Sequence, residues 1–244
     1  MRMPETPRLV LTLTVAGLLS GLIIVSVYQW ALPIIRANNA AALRRAVFEV
    51  LPGAERMQRL VWRDGSLSAD GDGEEEGGDA NGAGDGDGAA AEEVVYGGYS
   101  ADGEFVGYAI EGAGAGYQDT IRLLYGYEPA GERVVGMEIL ESRETPGLGD
   151  KIYKDQDFVR QFRDLSVRPK VELVKEEAQA PNQVDAITGA TISSATVVSI
   201  INAGNATWLE RLPPAGEAPP FQPDLEPEAG VETPKGGPVP GGRN

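Results

Sequence analysis

Phe105-Val106-Gly107-Tyr108-Ala109-Ile110, Ile121-Arg122-Leu123-Leu124-Tyr125-Gly126-Tyr127 and Val134-Val135-Gly136-Met137-Glu138-Ile139-Leu140 decide the fold. Each run is short, rich in β-branched and aromatic residues, and set off by a glycine-containing turn, so each is predicted as a strand. Val94 to Tyr96 is a further candidate upstream, Arg59 to Arg63 a strand leading toward the domain, and Val171 to Val174 another downstream. Asp157 to Leu165, with Phe158, Val159 and Phe162, has the spacing of an amphipathic helix, as does Ser193 to Trp208 through Val197, Val198, Ile201 and Trp208. Ser193 or Ser194 is the expected N-cap of that second helix. Gly112 to Tyr117 reads as a flexible bend, with a wall for a cofactor as the other reading. Runs of strands with interspersed helices predict an α+β domain.

Upstream the composition changes sharply. From Leu9 to Ile35 there is no charged residue, and Arg8 and Arg36 close the stretch at either end. A hydrocarbon core of about 30 Å needs roughly twenty helical residues, and a signal-peptide core is only about 7–15, so residues 9–35 are predicted as a retained transmembrane helix. Tyr28 and Trp30 suit an interface, and Pro33 is expected to loosen only the last turn. Residues 36–68 begin the extramembrane part, with Ala37 to Leu51 continuing as a helix whose Leu43, Val47 and Val50 share a side, and Pro52-Gly53 ending it.

Residues 69–93 are almost entirely Gly, Ala, Asp and Glu and contain no basic residue. Such a segment cannot bury enough apolar surface to offset the cost of ordering and is expected to be disordered, as is the Pro-, Gly- and Glu-rich tail at 213–244. Much of the net charge of -16 sits in that insertion, and the acidity excludes nucleic acid as a natural partner. Asp70, Asp72 and Glu74 alternate, but a calcium loop needs glycine at its sixth position and glutamate at its twelfth, where Glu75 and Asn81 stand. Cys and His are both absent, which removes cysteine-held iron–sulfur clusters, thiol catalysis, the usual zinc sites and histidine triads. No metal site and no catalytic side chain are expected. Redox chemistry in this chain requires an organic cofactor.

The heptad Asp185-Ala186-Ile187-Thr188-Gly189-Ala190-Thr191 stands just before the second helix. Gly189 and Ala190 lack bulk, so the backbone can turn tightly and leave the Thr191 hydroxyl reachable. At a helix N-terminus the unpaired N–H groups and the helix dipole favour an anion, phosphate included. Capping by Thr188 or Thr191 is the plainer reading. Some forty residues upstream lies Glu144-Thr145-Pro146-Gly147-Leu148-Gly149, a loop stiffened by proline whose glycines let backbone lie against a flat ligand.

The heptad resembles the recognition sequence of the bacterial flavin transferases, which split FAD and join FMN through its phosphate to the last threonine. Together with the Glu144 to Gly149 loop, it resembles the FMN-binding domain shared by the G subunit of the Rnf electron-transport complex and the C subunit of the sodium-translocating NADH:quinone reductase. The resemblance runs from about Val94 to Leu212, giving an expected FMN-binding domain at 94–212, and the amino-terminal anchor fits it. It implies covalent FMN on Thr191, with Asp185, Thr188, Gly189 and Ala190 as the recognised frame. By the same resemblance Glu144, Thr145, Pro146, Gly147, Leu148 and Gly149 lie near the isoalloxazine ring.

The implied role is a relay of electrons between ferredoxin and NAD within a larger ion-translocating complex, with no independent catalysis. Other membrane subunits and a flavin transferase are the implied partners. The implied location is the bacterial inner membrane, residues 1–8 being cytoplasmic and the domain periplasmic; the flanking arginines alone leave the orientation nearly even. Gly149-Asp150-Lys151-Ile152 favours the Rnf branch by resemblance. The quinone-reductase branch, a stand-alone or regulatory flavoprotein, and a structural module with an unmodified threonine stay open. Where family members often carry a histidine, this chain has Ser142-Arg143, and Arg143 is a candidate to stabilise an anionic flavin.

Overall fold

A computed structural model describes residues 5–70 and 93–223. Helix α1 runs without interruption over Glu5–Val50, so Pro33 lies inside it and not in a last turn. Within it is a stretch long and apolar enough to cross a membrane. Its large side chains, among them Leu13, Leu18, Leu22 and Trp30, are exposed, as a surface meant for lipid requires.

The α+β unit is built on strands β1 (Arg56–Arg63), β2 (Ser66–Ala69), β3 (Glu93–Tyr99), β4 (Phe105–Ala115), β5 (Thr120–Glu128), β6 (Arg133–Glu141) and β7 (Leu165–Ser166). They form one sheet of order β2-β1-β3-β4-β5-β6-β7 in which every neighbouring pair is antiparallel. Short helices α2 (Lys151–Lys154) and α3 (Gln156–Arg160) follow β6. A parallel pair, β8 (Glu172–Val174) and β9 (Gln183–Asp185), precedes the long helix α4 (Thr191–Trp208).

Alternation along the strands gives the sheet two apolar faces. On one, Tyr108, Ile110, Leu123 and Tyr125 pack with Val197, Ile200 and Ile201 of α4 and with Phe158 and Phe162. Gly112 and Gly114 lie under Ile200, so Gly112 to Ala115 of the expected bend are strand and their missing side chains seat α4, while Gly116 and Tyr117 lie in the turn beyond it. On the other face Ala109 and Leu124 pack with Ala46, Val47, Val50 and Leu51 at the end of α1. Gly98 pairs with Gly107, and Gly126 with Gly136, across neighbouring strands. A Cβ at Gly126 would overlap the Val50 carbonyl, and one at Gly136 would stand 2.8 Å from Val50 Cα. This glycine trough accepts the helix end.

Two expectations shift at their edges. The predicted helix Asp157 to Leu165 stops at Arg160, because Leu165 turns away to pair with Val134. The tail expected to be unstructured from residue 213 is packed as far as 223: Tyr108 donates to Pro213 O at 3.2 Å, Tyr99 to Pro219 O at 2.7 Å, and Gln222 N to Gln58 Oε1 at 2.9 Å. Aromatic contact between Phe221 and Tyr99, 5.4 Å between ring centres, adds to those bonds. The rest of the tail, and the acidic insertion between Asp70 and Glu93, lie outside the described residues.

Candidate functional site

The end of β4, the start of β5 and the end of β6 fall at one end of the neighbouring strands, which brings the loop 116–119 beside the loop 142–150. Glu144 joins them. Its side chain is buried, with 6% exposure, and both carboxylate oxygens are engaged. Oε1 accepts from Gln118 N at 2.9 Å and Asp119 N at 3.4 Å, while Oε2 accepts from the Ser193 hydroxyl in the first turn of α4. Burial alone would disfavour the charge. The Ser193 hydroxyl and the N–H groups of Gln118, Asp119 and Tyr117 outweigh it and hold the carboxyl below its ordinary range. Gly116 and Gly149 flank the group on two sides, since a Cβ on either would overlap a carboxylate oxygen.

The rest of the loop is a closed turn. Thr145 O accepts from Leu148 N at 3.1 Å and Asp150 N at 3.4 Å, and Asp150 Oδ1 accepts from Gly147 N at 2.7 Å. Lys154, bonded to Asp150 Oδ2 at 2.6 Å, holds the Asp150 carboxyl below its usual range. Gly147 has φ +79°, a conformation that suits glycine. Thr145 Oγ1 donates to Gln118 Oε1 at 2.7 Å, and Pro146, Gly147 and Leu148 face outward.

In the heptad, the Asp185 carboxylate accepts from Ala178 N at 2.6 Å and its N–H donates to Gln161 Oε1 at 2.6 Å, so Asp185 anchors the base of the loop. Gly189, at φ +84°, makes the turn, and its Cα faces Leu148, whose Cδ2 would lie 3.7 Å from an added Cβ. Thr188 and Thr191 are exposed and Ala190 is buried. Thr191 is the first residue of α4, after an Ala190 N-cap with no side-chain bond.

The expected caps are therefore inside the helix. Ser193 is drawn to Glu144, and Ser194 Oγ donates to Ala190 O at 2.9 Å while accepting from Ile187 N at 3.3 Å. The first N–H groups of α4 lack intrahelical acceptors, as at any helix start, and the Ala190 N-cap has no side chain to bond them. An anion on Thr191 would meet that end of the helix.

The structure thus brings Glu144 to Gly149 and Thr188 to Thr191 together, through Glu144–Ser193 and Leu148–Gly189, and leaves Asp185 at the rear. Ser193, Gln118 and Asp150 went unread as site residues in the sequence. For Ser193 a signal existed: positions 193, 197 and 201 repeat at four-residue steps, placing the hydroxyl on the buried face of α4. Arg143 is exposed and lies 3.8 Å from Asp119 and 3.4 Å from Glu141, so two carboxylates already face its charge.

Outside α1, the large apolar side chains exposed among the described residues are Tyr117, Leu148, Tyr153 and Ile192. Three of them, Tyr117, Leu148 and Ile192, belong to the three segments that meet at Glu144. An exposed threonine at a helix start and adjacent apolar side chains fit an aromatic cofactor that carries a phosphate.

Comparison with known proteins points the same way. Residues 116–205 match the family model of the FMN-binding domain, a span holding all three segments of the site. Over 107 residues the chain is 39% identical to the G subunit of the ion-translocating oxidoreductase complex of Methanosarcina acetivorans, covering 44% of this chain and 54% of that protein. It is 36% identical over 115 residues to the corresponding G subunit of Pectobacterium atrosepticum, covering 46% and 54%. With the G subunit of the Na(+)-translocating ferredoxin:NAD(+) oxidoreductase complex of Acetobacterium woodii it shares 37% over 107 residues, 42% of this chain and 49% of that one. The matches span about half the length of these curated relatives. Among solved structures, NqrC of Shewanella oneidensis has the same fold, with a TM-score of 0.50 at 18% identity over 68% of this chain and 86% of that one.

Proposed function

We propose that this chain is the membrane-anchored flavoprotein subunit of an Rnf-type ion-translocating ferredoxin:NAD oxidoreductase complex, carrying FMN as a phosphoester on Thr191. The observation that carries this reading is the exposed Thr191 hydroxyl at the uncapped start of α4, inside the segment that matches the FMN-binding domain. The curated relatives, each the G subunit of an ion-translocating complex, favour this branch over the quinone reductase.

Loading is a phosphoryl transfer. Thr191 Oγ would be the phosphoryl acceptor from FAD, the new P–O bond replacing the pyrophosphate bond, with AMP leaving and the hydroxyl proton passing to a base of the flavin transferase or to solvent. Thr188, Gly189 and Ala190 are the frame the transferase meets, and Asp185 holds that frame in place through Ala178 and Gln161. Once bound, FMN supplies one-electron and two-electron redox chemistry; the protein supplies position and electrostatics. Leu148, Tyr117 and Ile192 would give the ring apolar contact, and the hydrogen-bonded turn at Thr145 to Gly149 would back it. The tether keeps the cofactor from diffusing away on the periplasmic side, where we place the domain. No side chain here serves as a catalytic acid or base.

Two measurements test the proposal. A flavin signal that survives denaturing electrophoresis supports the covalent tether, and its absence removes it. Co-purification with the other membrane subunits of an Rnf-type complex supports the relay, whereas a flavinylated chain that purifies alone favours a stand-alone flavoprotein.

A further inference from the structure

We infer that Glu144 and Ser193 form a positioning pair: the buried carboxylate grips the first turn of α4 through the Ser193 hydroxyl and fixes the direction in which Thr191 presents its own hydroxyl. The inference rests on Thr191 being the flavin acceptor, and it assigns Glu144 a place behind the site and not against the cofactor.

Both oxygens of Glu144 are occupied by donors of the protein, Gln118 N and Asp119 N on one and Ser193 Oγ on the other, and the side chain is buried. No oxygen is left to face a ring. The carboxylate also links three segments distant in sequence, the 116–119 loop, its own loop and α4. Gly116 and Gly149 close around it, with Ser193 Oγ 2.8 Å from where a Gly149 Cβ would stand. Ser193 lies two residues after Thr191, on the opposite side of the same turn, since Thr191 is exposed and Ser193 is 1% exposed. Holding the inward residue therefore orients the outward one. Removing the hold leaves the exposed frame at Thr188 and Gly189 intact, so the transferase still docks while Thr191 samples unproductive directions.

The test uses the full chain in detergent with purified flavin transferase and FAD, measuring initial rates of covalent labelling by in-gel fluorescence over a range of chain concentrations. Ser193→Ala is expected to lower the saturating rate about tenfold, the effect of one hydrogen bond to a charged group, with KM for the chain unchanged. Glu144→Gln keeps the shape but not the charge and is expected to lower that rate about threefold; it carries the test if Ser193→Ala does not fold. The double variant is expected to lose no more than Ser193→Ala alone, because both changes act on one contact.

Asn202→Ala, which costs α4 its two bonds to Val171, is the purely structural control and is expected to label at the wild-type rate. A wild-type saturating rate in Ser193→Ala or Glu144→Gln, with the wild type labelled, overturns the positioning role and leaves the tether standing. The same holds for a loss confined to KM. A wild-type chain that takes no label overturns the tether and the pair with it.

Discussion

Two glycines in one loop separate backbone strain from crowding at the site. Gly149 has an ordinary backbone conformation, so alanine there is opposed only by its surroundings: the new methyl would overlap Glu144 Oε2 and stand 2.8 Å from both Glu144 Cβ and Ser193 Oγ. Overpacking a buried site costs about 1–3 kcal/mol. Pushing the carboxylate off Ser193 adds about 1.5–3 kcal/mol for a charge-assisted hydrogen bond. Against this, alanine gains about 0.4–1 kcal/mol through the unfolded chain. Gly149→Ala is therefore expected to destabilise by about 1.5–5.5 kcal/mol.

Gly147 differs: at φ +79° with nothing within 4 Å of its Cβ position, only backbone strain opposes alanine. That strain is about 1–2 kcal/mol, leaving about 1.5 kcal/mol or less after the same gain. Urea unfolding of the full chain in detergent, followed by the fluorescence of Trp62 and Trp208, measures both. Equal losses for the two variants would refute the packing of Glu144 between Gly149 and Ser193.

Other expectations follow from the same geometry. Glu144 is held below the ordinary carboxylate value of 4.5, so its contribution to stability is present above that pH and is lost as pH falls through the folded-state value. The stability difference between wild type and Glu144→Gln should accordingly shrink below about pH 4.5 in urea titrations, and a constant difference would argue against an ionised Glu144. Arg143→Ala is expected to leave the flavin midpoint potential unchanged, since Asp119 and Glu141 already face that charge; a clear shift in a redox titration would restore Arg143 as a tuning residue. Gly126→Ala, whose methyl would overlap the Val50 carbonyl, is expected to cost about 3 kcal/mol or more by unseating the end of α1, and a neutral result in the same unfolding assay would contradict the glycine trough.

The sheet was legible because its strands are short apolar runs between glycine turns, and the observed β4 to β6 contain the three runs whole. Gly112 to Ala115 misled because glycine is a breaker in isolation. Here its value lies in Ile200 of a helix some ninety residues away, which no local pattern records. Strands β2, β7 and β9 are 4, 2 and 3 residues long, too short for periodicity to reveal. The tail to residue 223 looked too rich in proline and glycine to pack, yet Tyr99, Tyr108 and Gln58 capture its backbone, and their partners are set by tertiary contact.

At the site, the heptad and the Glu144 loop were visible as motifs because their glycines and threonines are spaced as a turn needs. That Glu144 points inward to Ser193 was not, since its donors on the 116–119 loop are backbone N–H groups, which carry no sequence signature.

Intact mass of the chain after co-expression with a flavin transferase tests Thr191 most directly. The wild type is predicted to carry one FMN, and Thr191→Ala none. One FMN on Thr191→Ala, or none on the wild type, would contradict the assignment of Thr191 as the tether.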